Sequence, residues 1–399
     1  MSFSGRIDWF GGALVKQTSE NAAPVRRLFV DVSTIVRHDA QTGIQRVVRS
    51  VCRELCRDQS GLTIHAVAAT KWRPYAVVET DLLPQSPTAL TRGRLELGLG
   101  DAFLGLDLSA HLFSRREGQL RRWSEAGAEI ATVVYDLLPL AHPEWFNPRT
   151  ARYFHRWLDV VGRRANVVLP ISQSVQADLT KYLTAHHSER APQIRSEVLP
   201  LSGDIGQFEH DSHAKLDPVT ETMRSRPAVL MVGTVEPRKG YSVALAAHRH
   251  AWATSPATAP LLIMAGKAGW RTADMQAELR RLNLDRDGAI WLEDVDDSKL
   301  HELYRACRCV LVASRGEGYC LPLHEALAYG KPVLARDLPV LRELHSPMIS
   351  YFTADDPSSL AAALVDIATR ALPSPTIPPV RGWADTVRTI LHALKVVGR

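Results

Sequence analysis

Along the chain, short apolar runs alternate with longer stretches in which apolar residues return every three or four positions. Residues 28–33 (LFVDVS), Ile64 to Ala69, Ala102 to Leu106, Ile130 to Tyr135 and VVLPIS at 167–172 are candidate buried strands. After the first, the polar loop RHDAQTG leads into IQRVVRSVCREL, which sets Ile44, Val47, Val48, Val51 and Leu55 on one helical face. PRTARYFHRWLDVVGRRA reads as a helix, and SQSVQADLTKYL as another that opens on a serine cap. Residues 81–100 are poorly patterned. Residues 203–227 are polar with little periodicity and read as a linker. A second alternation starts at Ala228, with strands VLMVGTV, LLIMAG, AIWLED, CVLVAS and PVLAR, each followed by an amphipathic helix. Buried strands alternating with helices predict parallel sheets covered on both faces. The expected fold class is therefore α/β, with two doubly wound domains, over 1–205 and 226–375. A final helix, GWADTVRTILHALKVV, lies within 381–399 after the Pro-rich ALPSPTIPPV. Ligands of such domains sit beyond the carboxyl ends of the strands.

Composition narrows the class. The 399 residues are 45% apolar and 23% charged, ordinary for a soluble globular chain. No run approaches the roughly 20 apolar residues of a membrane span. The N-terminus lacks the order of a signal peptide, so a cytosolic, unprocessed chain is expected. The cysteines, Cys52, Cys56, Cys307, Cys309 and Cys320, are scattered and form no zinc knuckles; burial as small apolar residues is expected. The net charge of +5 is unevenly spread: residues 1–200 hold 25 Lys+Arg against 20 Asp+Glu, and residues 201–399 hold 23 of each. A basic half can meet nucleic acid, acidic lipid or a phosphorylated substrate. With no basic cluster interleaved with aromatics, no nucleic-acid partner is expected.

Four segments carry candidate chemistry. SRGEGYCLPLHEALAYG (314–330) follows a strand and opens a helix; it holds Glu317 between Gly316 and Gly318, Pro322 in the first turn and Glu325 early in the helix. Two carboxylates are thus set at different depths of one strand-to-helix crevice whose free N–H groups suit an anion. The alternative is a helix start with favourable acidic residues. VGTVEPRKGY (232–241) ends a strand at Gly233 and brings Glu236, Arg238 and Lys239 before a helix; Arg and Lys together can grip a diphosphate, or form a solvated basic turn. TGIQR (42–46) places Gly43 at the first strand-to-helix turn, where backbone can approach a ligand or simply turn. In VVYDLLPLAHPEWF (133–146), Asp136 stands just past a strand end, as an active-site group or a turn cap. The Walker loop, the GxGxxG fingerprint, the GxSxG elbow and HExxH are all missing from the sequence.

In combination these segments resemble the retaining glycosyltransferases of family 4, which have the two-domain GT-B fold. The resemblance runs through VGTVEPRKG, LLIMAGKAGW, AIWLEDVDDSKLHELY and EGYCLPLHEALAYGKPV, and extends to VDVSTIVRHDAQTGIQRVV and VVYDLLPLAHPEWF. It is strongest to the bacterial mannosyltransferase-B-like branch, which builds O-antigen and other surface polysaccharides. It implies two Rossmann-like domains facing across a cleft, with the C-terminal helix crossing back to the first. It also implies that Arg238 and Lys239 hold the donor diphosphate. Glu317, with the backbone of Gly318, Tyr319, Cys320 and Leu321, would orient the donor sugar, and Glu325 would bind ribose. Gly233 ends the strand before the cations; the turn at Gly266-Lys267 and the loop at Asp294-Val295 would lie near the base. Gly43 would close on the diphosphate, and Tyr135-Asp136 would face the sugar and acceptor. Many members carry His where Tyr135 stands, which shifts the catalytic expectation to Asp136.

The implied reaction is front-side transfer with retention, in which fixed cations and N–H dipoles neutralise the leaving diphosphate. No protein nucleophile, metal or other cofactor is expected, only a nucleotide-sugar co-substrate, GDP-mannose. The expected acceptor is a lipid-linked glycan. The basic first half would face anionic lipid at the cytoplasmic face, with Arg115, Arg116, Arg121 and Arg122 on a helix FSRREGQLRRW as candidate contacts.

Overall fold

A computed structural model describes residues 27–39, 41–58, 61–84, 94–204, 217–353, 355–371 and 382–395. The expectation of an unprocessed N-terminus, the Pro-rich stretch and the middle of the expected linker lie outside them. The chain divides into two compact units. Unit 1 runs to Leu201 and takes in the chain again from Trp383; unit 2 is Ser202–Gly382.

Unit 1 contains, in chain order, β1 (Arg27–Asp31), α1 (Gly43–Leu55), β2 (Thr63–Ala68), β3 (Ala76–Val77), β4 (Asp101–Gly105), α2 (Ala110–Phe113), α3 (Glu117–Glu125), β5 (Glu129–Val134), α4 (Leu138–Ala141), α5 (Pro148–Arg164), β6 (Val167–Pro170), α6 (Gln173–His186) and β7 (Arg195–Ser196). Unit 2 contains α7 (Pro218–Ser225), β8 (Ala228–Val232), α8 (Tyr241–Thr254), β9 (Leu261–Ala265), α9 (Ala273–Leu279), α10 (Leu284–Asp287), β10 (Ala289–Leu292), α11 (Asp297–Ala306), β11 (Cys309–Val312), α12 (Leu321–Ala328), β12 (Val333–Arg336), α13 (Pro339–Arg342), β13 (Ile349–Phe352) and α14 (Pro357–Thr369). The last helix, α15 (Trp383–Ala393), belongs to unit 1 and packs on α1.

Both sheets are doubly wound. Unit 1 has the order β3-β2-β1-β4-β5-β6-β7, parallel except for β3. Unit 2 has β10-β9-β8-β11-β12-β13, parallel throughout. The chain reverses its winding between β1 and β4 in one sheet and between β8 and β11 in the other. Those are the switch points where a doubly wound sheet leaves a crevice.

The strands are apolar on both sides because both sides are covered. In unit 2, Leu230, Ile263 and Val310 pack with Leu303, Tyr304, Leu323 and Leu327 of α11 and α12. Their neighbours Val229, Met231, Leu262 and Leu311 face the other way, onto Tyr241, Ala244, Leu245, Leu360 and Leu364 of α8 and α14. Neighbouring strand residues therefore serve opposite cores, as the two-residue period requires. Four cysteines are buried and Cys56 is half-buried, all as free thiols.

Two expectations need correction. The supposed linker ends in α7: Asp217 caps it by accepting from the N–H groups of Val219 and Thr220, Pro218 occupies its first turn, and Met223 enters the unit 2 core. The helix hides in the sequence because only Thr220 and Met223 are fully buried, with Val219 half-buried against the same core. The basic segment after β4 is also not one helix. It breaks into α2, a 3-10 turn at Ser114–Arg116 and α3. No helix among the described residues is long and apolar enough to cross a membrane.

Candidate active site

The switch point of unit 2 collects the charged residues. After β8 the chain passes Gly233 into a 3-10 turn, Pro237–Lys239, and enters α8 through Gly240. After β11 it runs through Ser314–Cys320 into α12. The two loops are tied together where the Arg315 N–H donates to the Arg238 carbonyl, 2.7 Å. Gly240 makes that approach feasible. Its φ is +74°, and a Cβ there would stand 2.2 Å from the carbonyl oxygen of Ala313. Gly266, at the end of β9, is equally confined: a Cβ would meet the Gly233 carbonyl at 2.0 Å.

Glu317 is the hub. Its Oε1 lies 2.6 Å from Lys239 Nζ, and its Oε2 accepts from Arg238 Nη1 at 3.1 Å. Arg238 Nη1 also donates to the Gly316 carbonyl, and its Nε faces Glu236 at 3.2 Å. The Glu317 side chain is 7% exposed. Burial alone would raise its pKa; the charges of Lys239 and Arg238, with hydrogen bonds from Lys239 and Ser314, outweigh burial and bring it down to about 2. The site is therefore a charge-balanced clasp of two cations and two carboxylates rather than a solvated basic turn.

The loop after Glu317 is built tightly. Cys320 takes a left-handed conformation, φ +71°, directly before α12. A non-glycine residue there costs about 1–2 kcal/mol. Burial and the Glu317 charge push the Cys320 thiol up, so it stays protonated. Tyr319 stacks on His324 with ring centroids 3.9 Å apart, and burial pushes His324 down to about 3, leaving it neutral. Glu325, 2% exposed, accepts from the Tyr304 hydroxyl at 2.6 Å, and Tyr304 is itself stacked on Tyr329. Lys267 is exposed, and its carbonyl accepts from the Val235 N–H. Val295 is half-buried against the core of this unit.

Gly43 and Asp136 lie in unit 1. Gly43 is exposed as the first residue of α1, behind a capping box made by Thr42 and Gln45. Asp136 is half-buried just past β5 and accepts from the Leu138 N–H at 3.1 Å, the geometry of a turn cap. Tyr135 does not face a ligand crevice with its hydroxyl. It is buried, and its hydroxyl donates to the Leu106 carbonyl at 2.8 Å.

A second cluster was not anticipated. At the unit 1 switch point Asp31 ends β1 and Asp107 follows β4, both buried. Asp31 accepts from the Ser33 N–H and hydroxyl, the Tyr75 hydroxyl and the Ser109 hydroxyl. Asp107 Oδ2 accepts from the N–H groups of Thr34 and Ile35 at 2.6 and 2.8 Å, fixing the turn after β1. Burial first, then the Asp31 charge, raises Asp107 to about 7. A charged residue closing an apolar run (LFVD, FLGLD) is the sequence signal that marks both. Among the described residues no group of three or more His, Cys, Asp or Glu is arranged to hold a metal.

Residues 226–370 match the family described as glycosyl transferases group 1. The chain is 33% identical over 349 residues to the serotype-specific mannosyltransferase WbdA of Escherichia coli, covering 86% of this chain and 42% of that protein. It is 25% identical over 238 residues to the O-antigen chain mannosyltransferase RfbU of Salmonella typhimurium, 59% of this chain and 60% of that one. The chain thus spans less than half the length of the WbdA protein it matches. Among solved structures, Anabaena HepE in complex with UDP and glucose aligns with a TM-score of 0.59 and 16% identity, over 94% of this chain and 100% of that one. Sucrose-phosphate synthase from Thermosynechococcus elongatus aligns with a TM-score of 0.57 and 16% identity, over 93% and 94%. These likenesses show the fold, the GT-B class of two Rossmann-like domains.

Proposed function

We propose, from the match of residues 226–370 to the glycosyl transferases group 1 family, that the chain is a retaining mannosyltransferase. It moves mannose from GDP-mannose onto a lipid-linked glycan of a bacterial surface polysaccharide, at the cytoplasmic face of the membrane. The observation that carries the reading is the clasp of Arg238, Lys239 and Glu317 at the switch point of unit 2.

In this reaction the bond from the sugar anomeric carbon to the diphosphate oxygen breaks. A bond from an acceptor hydroxyl forms on the same face, and the hydroxyl proton passes to the departing phosphate. Arg238 and Lys239 stabilise the charge that grows on that phosphate, in a site where fixed charges need no reorganisation. Glu317 and the backbone of Gly318, Tyr319, Cys320 and Leu321 orient the sugar. Glu325 binds ribose, and Gly233, Gly266, Lys267 and Val295 shape the base end. Gly43 approaches the diphosphate and Asp136 the acceptor. The cations do the neutralising, so the reaction is proposed to proceed without metal or other cofactor.

The test incubates the full chain with lipid-linked acceptors and, in parallel, GDP-mannose, GDP-fucose, dTDP-rhamnose and UDP-hexoses. Transfer from GDP-mannose alone is expected, and its loss in Lys239→Ala and Glu317→Ala. Another preferred donor would overturn the sugar assignment, and wild-type rates in both variants would overturn the site. Donor binding without turnover across all acceptors would make the chain a non-enzymatic assembly subunit.

A further inference from the structure

The carboxyl edge of the unit 1 sheet carries aromatic rings that the transfer step does not use. Trp72 is 81% exposed at the tip of the connection after β2. The turn that presents it is strongly braced. The Thr70 N–H donates to the Arg73 carbonyl, and the Thr70 hydroxyl oxygen accepts from the N–H groups of Trp72 and Arg73. Arg116 donates to the carbonyls of Thr70 and Lys71, and Arg37 to that of Ala69. Behind the turn, Tyr75 is buried and pinned by Asp31 and Gln119. Lys71 Nζ lies over one face of the Trp72 ring, 4.6 Å from its centroid. At this exposure the opposite face is open to solvent. The backbone that carries the indole is already fixed, which lowers the ordering cost of binding on it.

Further rings stand along the same edge. β2, β1, β4 and β5 are parallel neighbours in that order, so the segments that follow them line up. After β4, His111 of α2 faces Tyr153 of α5, with ring centroids 6.0 Å apart. Burial first, then the charges of Arg37 and Arg115, lowers the His111 pKa and keeps its ring neutral at neutral pH. After β5, beyond Asp136, His142 stacks on Trp145 with centroids 4.0 Å apart and an interplanar angle of 13°. His111 is exposed, and Tyr153, His142 and Trp145 are half-buried. What these rings share is a flat face with negative charge at its centre. The C–H groups on one face of a pyranose complement it, and Lys71 adds donors for the hydroxyls around the ring. The ends of β2 and β5 are three strand spacings apart, about 14 Å. One sugar ring cannot bridge that distance; a chain of them can.

We propose that this edge is a track for an extended glycan, on which Trp72 stacks against a sugar ring several residues removed from the one that is glycosylated. Asp136 marks the reacting end, Trp72 the far end, and His111 with Tyr153 lies between them. The inference deepens the proposed reaction and rests on its acceptor being a glycan. It gives that acceptor a preference for length. A short glycan engages the reacting end alone, and a long one gains the Trp72 contact as well. Binding is read without donor, so a chain that holds long glycans yet transfers no mannose would sink the reaction and leave the track standing.

Calorimetric titration of the full chain with α-linked mannobiose and mannohexaose is the experiment, mannose being the sugar that the proposed reaction leaves at the chain end. The wild-type chain should bind the hexaose about tenfold more tightly than the biose. Trp72→Ala should remove that advantage while unfolding at the wild-type temperature, and Trp72→Tyr should keep most of it. In transfer assays the loss should appear in the KM for the hexaose rather than in kcat. Leu99→Ser should behave as wild type, because Leu99, 92% exposed, precedes β4 at the opposite edge. Failure of the wild-type chain to bind either glycan, equal affinity for both, or a Trp72→Ala protein that keeps the hexaose advantage would overturn the proposal. So would equal weakening of biose and hexaose in Trp72→Ala, which would put the indole at the reacting end.

Discussion

The two sheets reach their switch points with the same topology and opposite chemistry. Between β8 and β11 the groups are Arg238 and Lys239 closed on Glu317, whose pKa the cations pull down to about 2. Between β1 and β4 they are Asp31 and Asp107, held by hydroxyls and backbone N–H groups, and the Asp107 pKa is raised to about 7. One crevice keeps its charges and balances them with counter-ions. The other disfavours charge and leaves hydrogen bonds to hold its acids. A doubly wound sheet thus decides where polar residues gather, and the side chains at the strand ends decide what the place can do. The first is suited to a ligand that brings its own charge. The second is suited to holding the turn after β1 in shape.

Lys239→Ala should widen this difference most. On the proposed reaction it removes one cation from the developing diphosphate charge, and it leaves Glu317 with Arg238 as its cationic partner. We expect kcat/KM for mannosyl transfer to fall by about 10²–10³. The same substitution unbalances a buried ion cluster, so the unfolding midpoint should drop as well. A variant with full activity would return Lys239 to the role of a structural counter-ion.

Glycines with positive φ separate the two regions in a second way. Gly240 has φ +74° and faces the Ala313 carbonyl, whereas Gly100, with φ +88°, has nothing within 4 Å of a Cβ. Gly240→Ala should therefore cost about 3 kcal/mol or more, through left-handed strain and a backbone clash. Gly100→Ala carries the strain only, about 1 kcal/mol. Denaturant midpoints of the two proteins measure the gap, and equal midpoints would show that the loops around Gly240 can part.

Most of the fold is legible in the sequence because strands covered on both faces are uninterrupted apolar runs, and the covering helices keep one apolar face. VLMVGTV and LLIMAG admit few other readings. Exceptions occur where little is buried. β13 is short and three of its residues are only half-buried; α7 offers one turn of inward residues. The unit 2 site is legible as spacing, since RKG and Glu317 each sit at a strand-to-helix turn. That they neutralise each other is not legible, because their contact spans 78 positions. Asp31 and Asp107 read as strand boundaries until the sheet sets their strands side by side. Tyr304 reads as one more inward residue of an amphipathic helix; its hydroxyl acquires meaning only beside Glu325.

The acid pair predicts an unusual pH response. Asp107 titrates near 7 when folded and near 4 when unfolded. Between those values the folded chain binds more protons, so stability rises as pH falls through 7 and levels off near 4. Asp107→Asn keeps an acceptor for Thr34 and Ile35 but removes the titration. Wild type should therefore gain roughly 1–3 kcal/mol on this variant between pH 8 and pH 5. A constant difference across that range would mean that Asp107 is ionised throughout. Glu317 shifts the other way: its contribution is present above about pH 4.5 and lost only as pH falls toward 2, so an acid scan of Glu317→Gln should diverge from wild type at the opposite end.

The smallest expected effect discriminates most finely. Each unit has a tyrosine donating to a buried carboxylate: Tyr75 to Asp31 at 2.9 Å and Tyr304 to Glu325 at 2.6 Å. Removing either hydroxyl costs a hydrogen bond to a charged or acidic group, about 1–2 kcal/mol. By stability alone Tyr75→Phe and Tyr304→Phe should look alike. Their effects on donor binding should not. Asp31 keeps Ser33 and Ser109 as donors and has no proposed contact with the nucleotide. Glu325 is the proposed ribose ligand, and Tyr304 sets its side chain. Tyr304→Phe should therefore raise the donor KM several-fold with little change in kcat, and Tyr75→Phe should leave both unchanged. Equal donor KM values for the two variants would detach Glu325 from the nucleotide and make the Tyr304–Glu325 pair, like Tyr75–Asp31, a device of the core.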